Sequence, residues 1–263
     1  MVFNAMSNCN NINPITGGST VDDVPFYLAV QQGKVPGYSM VNKFGYNSSI
    51  GSGSFETIWE TGDDYPWQSS AVTVDVVSDD TDDDVAGTGA RTLRIQGLDG
   101  SYNLAEETID MDGTTTVTTT QTFLRVFRMS VETAGSSGNN EGTITVTYTG
   151  GSDVAATISE GNGQTLMALY TIPAGYTGYL LSMNISSGKD QEMDFKFIQK
   201  DNSVTNAAFQ TKQFLNVRGG QTSVIFNAIN IIPQKSDIYV SGKGSSTSSA
   251  SASFDLLLVQ DGY

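Results

Sequence analysis

Apolar and polar residues alternate in short runs along most of this chain. Val72, Val74 and Val76 fall on one side of a single extended segment. Such a period of two is typical of a strand with one buried face. Runs rich in β-branched and aromatic residues predict strands at 41–46, 71–77, 92–97, 106–111, 114–120, 123–131, 143–148, 154–159, 165–172, 177–185, 193–199, 209–217, 223–232, 237–241 and 253–259.

Turn residues punctuate these runs. Gly150-Gly151 predicts a hairpin between 143–148 and 154–159, and Asp112-Gly113 predicts one between 106–111 and 114–120. Residues 26–32 predict one or two helical turns that end at Gly33. The glycine- and serine-rich loop 242–249 is the most flexible internal segment expected.

Many strands without a long helical pattern predict an all-β fold, an antiparallel β-sandwich or jelly roll. We expect two packed β-domains, at 65–160 and 161–263, preceded by an N-terminal arm and extended segment at 1–64. Residues 1–24 show no periodicity, so they are either a flexible tail or an arm that orders against a neighbouring subunit. Exposed sheet edges would have to be covered by closure of the sandwich or by oligomerisation.

Charge narrows the possible partners. The chain has 28 acidic and 13 basic residues, a net charge of −15 and a pI of about 4.1. Binding to nucleic acid or to an anionic membrane needs clustered cations, so we expect neither. The acidic surface suits docking onto a basic partner.

The residue inventory excludes several kinds of chemistry. The chain has no histidine, which removes histidine-based nucleophile, acid–base and zinc systems. Its single cysteine, Cys9, excludes an intramolecular disulfide and has no partner base nearby in the sequence. We expect no signal peptide, no membrane span, synthesis in the host cytoplasm and no enzymatic activity.

The segment 79–84 is the sharpest local feature, with five aspartates among six residues. Asp80, Asp82 and Asp84 alternate as calcium ligands can, although an EF-hand would need glycine at Val85 and glutamate at Arg91. These three residues are candidates for a structural cation; the alternative is a solvated loop tip. No other cofactor is expected.

Two further groups were weighed for binding or catalysis. Trp59, Tyr65 and Trp67 could stack on sugar rings, or they could attach the N-terminal segment to the sandwich. Glu106 and Glu107 are adjacent in a predicted strand, so they face opposite sides and cannot act as a hydrolytic pair.

A set of short motifs, in order, resembles poorly characterised virion structural proteins of tailed bacteriophages, especially marine and cyanobacterial ones. The resemblance covers most of residues 35–260, and its motifs are VPG at 35–37, VNKFGYN at 41–47, ETIWE at 56–60, DYP at 64–66, GART at 89–92, GLD at 97–99, FLRV at 123–126, GQTLMA at 163–168, IPAG at 172–175, PQKSDI at 233–238 and FDLLLV at 254–259. It implies a virion protein and transfers no active site.

On this basis we expect a capsid decoration or cement protein that binds the head exterior as a homotrimer. Its partners would be the major capsid protein and other virion proteins. The alternative is a fibre- or tail-associated adhesin that binds host glycan, through exposed aromatic residues such as Trp59 or Trp67, or through loop 242–249. A virion-attached glycan hydrolase is a third hypothesis.

Overall fold

The computed structural model describes residues 20–21 and 24–263, without the side chains of 20–21, 189–190 and 227–229. It is almost entirely β-structured, and all pairing between its strands is antiparallel. The predicted all-β sandwich is therefore confirmed. The elements in chain order are β1 (Thr20–Val21), β2 (Val24–Pro25), α1 (Phe26–Gln31), β3 (Tyr38–Ile50), β4 (Glu56–Thr57), β5 (Val74–Ser78), β6 (Ala90–Leu98), β7 (Leu104–Asp110), β8 (Val117–Thr118), β9 (Arg125–Ala134), β10 (Ile144–Tyr148), β11 (Val154–Ile158), β12 (Leu169–Thr171), β13 (Tyr176–Asp201), β14 (Gln210–Ile232), β15 (Ser236–Gly244) and β16 (Ser248–Gln260).

The segment between β4 and β12 forms two small sheets. One has the order β11-β10-β5-β8 and the other β7-β6-β9. Alternate residues of β5 and β10 are buried, as the valine alternation predicts. The predicted hairpin at Gly150 is confirmed, because β10 pairs with β11.

The predicted hairpin at Asp112-Gly113 is wrong. Strand β7 pairs with β6, and β8 pairs with β5 in the other sheet. Gly113 does turn the chain, with φ at 56°. It turns it from one sheet to the other, where the Thr118 hydroxyl donates to Asp75 of β5 and the Thr119 hydroxyl accepts a hydrogen bond from the N–H of Val74.

Strands β1 and β2 pair with each other, and the remaining strands form a seven-stranded sheet organised around β13. The N-terminal half of β13 lies between β14 and β16, and its C-terminal half lies between β14 and β15. Strand β3 pairs with β16, while β4 and β12 pair with β15. Residues 38–57, expected in the N-terminal extended segment, thus supply two strands of this sheet.

This sheet folds over on itself. Phe197, in the C-terminal half of β13, packs edge-on against Phe254, which pairs with the N-terminal half, at 5.7 Å between ring centroids. The pairing registers shift between Ser187 and Glu192, where β14 carries Gly219 and Gly220 at positive φ. Glycine permits this backbone conformation at little cost, so the long strands bend here and close a two-layered sandwich.

One hydrophobic cluster runs through the three larger sheets, and a second lies under α1. Phe26 and Val30 of α1 pack on Leu257 on the outer side of β16. The helix covers this apolar face and ends before Gly33, as predicted.

Candidate functional site

The aspartate-rich loop is built around Asp83, which is fully buried. Its carboxylate accepts hydrogen bonds from the Ser78 hydroxyl at 2.6 Å and from the backbone N–H groups of Ala90, Glu141 and Gly142 at 2.7–2.9 Å. These four hydrogen bonds stabilise the buried carboxylate of Asp83 without a bound cation. Asp83 therefore acts as the structural anchor of this loop.

Carboxylate oxygens of Asp80, Asp82 and Glu141 lie within 4.8 Å of one another. Loss of solvation, followed by the charges of Glu141 and Asp80, raises the pKa of Asp82. The predicted Asp84 lies outside this group, and its carboxylate accepts a hydrogen bond from the N–H of Ala86. Glu141 arrives from a loop about 60 positions away, so the sequence offered no local signal for it. Three carboxylates at this spacing suit a hard divalent cation.

The aromatic candidates form a cluster where the seven-stranded sheet meets the two smaller sheets. Trp59 and Tyr65 are each 2% exposed, so neither offers a ring face to a sugar. Trp67 is partly buried, and its ring lies against Tyr65 and under the guanidinium of Arg125. The Tyr65 hydroxyl donates to or accepts from that of Tyr148 at 2.8 Å. These contacts are those of a structural junction.

A buried ion pair crosses the same junction. Arg125 at the start of β9 and Asp237 of β15 are 3% and 0% exposed, and two guanidinium nitrogens donate to the two carboxylate oxygens at 3.0 and 2.9 Å. Burial would lower the pKa of Arg125, but the hydrogen bonds and charge of Asp237 outweigh it and the pKa is raised. Thr171 and Asn202 also donate to Asp237, so every oxygen is engaged.

Adjacent Glu106 and Glu107 have separate structural partners. Glu106 accepts from Arg94 at 2.6 Å in an exposed ion pair. Glu107 accepts from the backbone of Thr120 and Gln121 at 2.7–3.1 Å. This fits the prediction that they face different neighbours rather than one substrate.

The outer edge of β14 is open. Among the described strands, β14 pairs with β13 alone. Phe214, Ile225 and Ile231 on this strand are 53%, 76% and 63% exposed. The strand has no acidic residue, and its charged residues are Lys212 and Arg218. An open, apolar edge is a feature that monomeric β proteins usually suppress.

A shallow groove of about 500 Å³ lies on the outer face of the sheet formed by β3, β16, β13 and β14. Its floor consists of small polar side chains, with Asn184 donating to Ser253 and a hydrogen bond between Ser186 and Ser251. Tyr46, which is 40% exposed, lies on the β3 side. The residues that line the groove carry no charge, unlike the acidic chain as a whole.

Within the described part of the chain, no helix is long and apolar enough to cross a membrane.

No protein-family model matches the chain, and no curated protein matches it in sequence. Three solved structures overlap weakly with it: the infectious bursal disease virus Gt strain, at 11% identity over 91% of this chain and 77% of that chain with a TM-score of 0.24; the Gx strain, at 11% over 86% and 77% with a TM-score of 0.20; and the VP2 subviral particle of that virus, at 9% over 90% and 82% with a TM-score of 0.15. All three are structures of a virus or a subviral particle. At these TM-scores the overlap carries no argument about what this chain does.

Proposed function

We propose that this chain is a structural protein of a bacteriophage particle, a capsid decoration or cement protein that docks on the head exterior as a homotrimer. The single observation that supports this function best is the open edge of β14. It is a large association surface, so the isolated subunit leaves unpaired groups that an assembly would cover.

The size of the edge is adequate for a stable contact. At about 3.3 Å per residue, the 23 residues of β14 present about 75 Å of edge along the contour of the strand, divided into two arms by the bend at Gly219 and Gly220. A strip about 10 Å deep along it would bury about 750 Å², near the roughly 800 Å² that each partner contributes to a standard interface.

The charge of the edge also fits association. The chain carries −15 overall, so two copies repel each other over most of their surfaces. Strand β14, with two basic and no acidic residues, is where that repulsion is weakest. Approach of a second subunit, or of a capsid protein, is therefore favoured at this edge.

The proposed mechanism is mechanical. Subunits joined along β14 would span boundaries between capsid subunits, and the added interface would have to be broken before the shell opens. The Arg125–Asp237 pair would keep β9 and β15, which belong to different sheets, in register under that load. No reaction is involved.

The test uses the purified protein and heads that lack it. Ile225→Asp and Ile231→Asp should lower both the oligomer mass in solution and the occupancy of heads, because each places a charge in the apolar strip. Val85→Asp is the matched control, since Val85 is 49% exposed on the aspartate-rich loop. Unchanged oligomer mass and occupancy in both β14 variants would overturn the proposal.

A second candidate function is a tail- or fibre-associated adhesin that binds neutral host glycan, and the uncharged groove beside Tyr46 favours it. Hydroxyl and amide side chains can hydrogen-bond sugar hydroxyls, while an exposed aromatic ring can stack on a sugar face. The groove replaces Trp59 and Tyr65 as the relevant site, because these two are buried. Loss of glycan-array binding in Tyr46→Ala, with Tyr263→Ala as an exposed control, would support the adhesin; no binding by the wild-type protein would dismiss it.

A further inference from the structure

A cleft of about 310 Å³ lies beside the edge strand β3, between the seven-stranded sheet and the sheet β7-β6-β9. Strands β3, β6, β9 and β12 all contribute to its walls. The residues that matter for its chemistry are Lys43, Gln96, Arg128 and Tyr170. Two of these four are cations, and the lining includes no acidic residue.

Lys43 lies at an inward-facing position of β3, opposite Phe254, and is 2% exposed. Its ammonium nitrogen donates to the carbonyl oxygen of Phe127, which also lines the cleft. Arg128 is half-buried, and one of its terminal nitrogens donates to the carbonyl oxygen of Asn42 at 2.6 Å. These carbonyl oxygens accept a hydrogen bond from each cation, but they carry no formal negative charge to neutralise it.

Neither cation is paired with a carboxylate in the part of the chain that the structure describes. This is unusual in a chain with 28 acidic residues, because buried cations in proteins are generally paired. Burial, followed by repulsion from Arg128, lowers the pKa of Lys43 well below its usual value. Burial likewise lowers the pKa of Arg128. Both groups would be more stable beside an anion.

We infer that this cleft binds a small oxyanion, a carboxylate or a phosphate, between Lys43 and Arg128. The volume suits a small ligand or the end of a larger one. A planar guanidinium matches the two oxygens of either group, and an ammonium adds a second charged donor. Tyr170 lies in the same wall of the cleft, and its hydroxyl group can donate a further hydrogen bond.

Binding would be linked to protonation. Arg128 from β9 is the charged group that acts on Lys43, and Tyr170 from β12 lies in the same cleft; neither supplies a negative charge at neutral pH. An anion in the cleft would favour the charged form of Lys43, so binding would raise the pKa of Lys43 towards its usual value. This inference does not depend on the proposed virion role, and head occupancy does not measure it.

The experiment titrates the full chain separately with sodium acetate and inorganic phosphate, following the side-chain NMR signals of lysine and arginine. We expect the Lys43 and Arg128 signals to shift with at least one ligand. A response to acetate alone assigns a carboxylate, and a response to phosphate alone assigns a phosphate. No shift at about 10 mM of either ligand, tenfold above a millimolar dissociation constant, would overturn the inference.

Two variants locate the site. Arg128→Gln should weaken binding at least tenfold, whereas Arg91→Gln, a half-buried arginine outside the cleft, should not. Equal weakening by both variants, or binding retained in Arg128→Gln, would show that the anion binds elsewhere. Thermal unfolding of both variants checks that they are folded, and the wild-type titration stands independently of either.

Discussion

Replacing Asp237 with asparagine should destabilise the protein by about 3–5 kcal/mol. The substitution keeps the shape of the side chain but removes its charge, which leaves the guanidinium of Arg125 buried without a counter-ion. Breaking a buried pair by removing one partner typically costs this much. Since a whole domain is stable by only about 5–15 kcal/mol, the loss is a large fraction of the total.

The assay is equilibrium unfolding in urea together with thermal unfolding. A change of this size should lower the melting temperature by roughly 6–20 °C for a chain of this length. Glu106→Gln is the matched control, because it breaks the other ion pair, Arg94–Glu106, whose side chains are 37% and 57% exposed. We expect a much smaller loss of stability than for Asp237→Asn, since solvent screens exposed pairs.

The double variant Arg125→Met/Asp237→Leu tests the reasoning from the other side. Removing both charges leaves no unpaired ion, so it should recover most of the loss seen in Asp237→Asn. The reasoning would be refuted if the free energy of unfolding of Asp237→Asn lay within about 1 kcal/mol of the wild-type value, or if Asp237→Asn unfolded no more easily than Glu106→Gln. The buried pair would then not be a main link between β9 and β15.

Three further predictions follow from particular residues. Because the pKa of Lys43 is lowered in the fold, the unfolded chain binds more protons between that lowered pKa and about pH 10.4, so stability should rise with pH across this window. Lys43→Met should reduce this dependence of stability on pH, and it should stabilise the protein by about 1–3 kcal/mol at neutral pH. Urea unfolding at several pH values measures both effects, with Lys34→Met as an exposed control. Gly45→Ala should destabilise by about 3 kcal/mol or more, because a β-carbon would collide with the backbone of Ile58, whereas Gly53→Ala has open space and should fold normally by circular dichroism. Calcium should raise the melting temperature in a saturable way, and Asp82→Asn should abolish that rise; a rise that persists in the variant would place the cation elsewhere.

The sequence predicted the strand content well but not the strand lengths. Residues 177–185 and 193–199 were expected as two strands, and both belong to β13. Residues 209–217 and 223–232 likewise belong to β14. In the sequence, the two glycines at 219–220 and the polar residues after Ser187 interrupt the alternation of apolar and polar residues, so each long strand was expected as two. In the fold these interruptions are bends through which backbone pairing continues, because a sheet can turn a corner without ending.

The candidate cation site could likewise be predicted only in part from the sequence. Asp80 and Asp82 were identified from local spacing, whereas Glu141 joins them only through the tertiary fold. The Lys43 cleft was missed, although a signal existed. Lys43 lies with Val41 and Gly45 on the inward-facing side of β3. A lysine at such a position is a reason to look for the group that pairs with its charge.

The most direct test of the proposed function is a reconstruction of the intact phage particle. The account predicts density for this chain on the head exterior, with the β14 edge packed against another subunit and Ile225 buried in that contact. A particle in which the chain is absent, or in which β14 faces solvent in every copy, would contradict it.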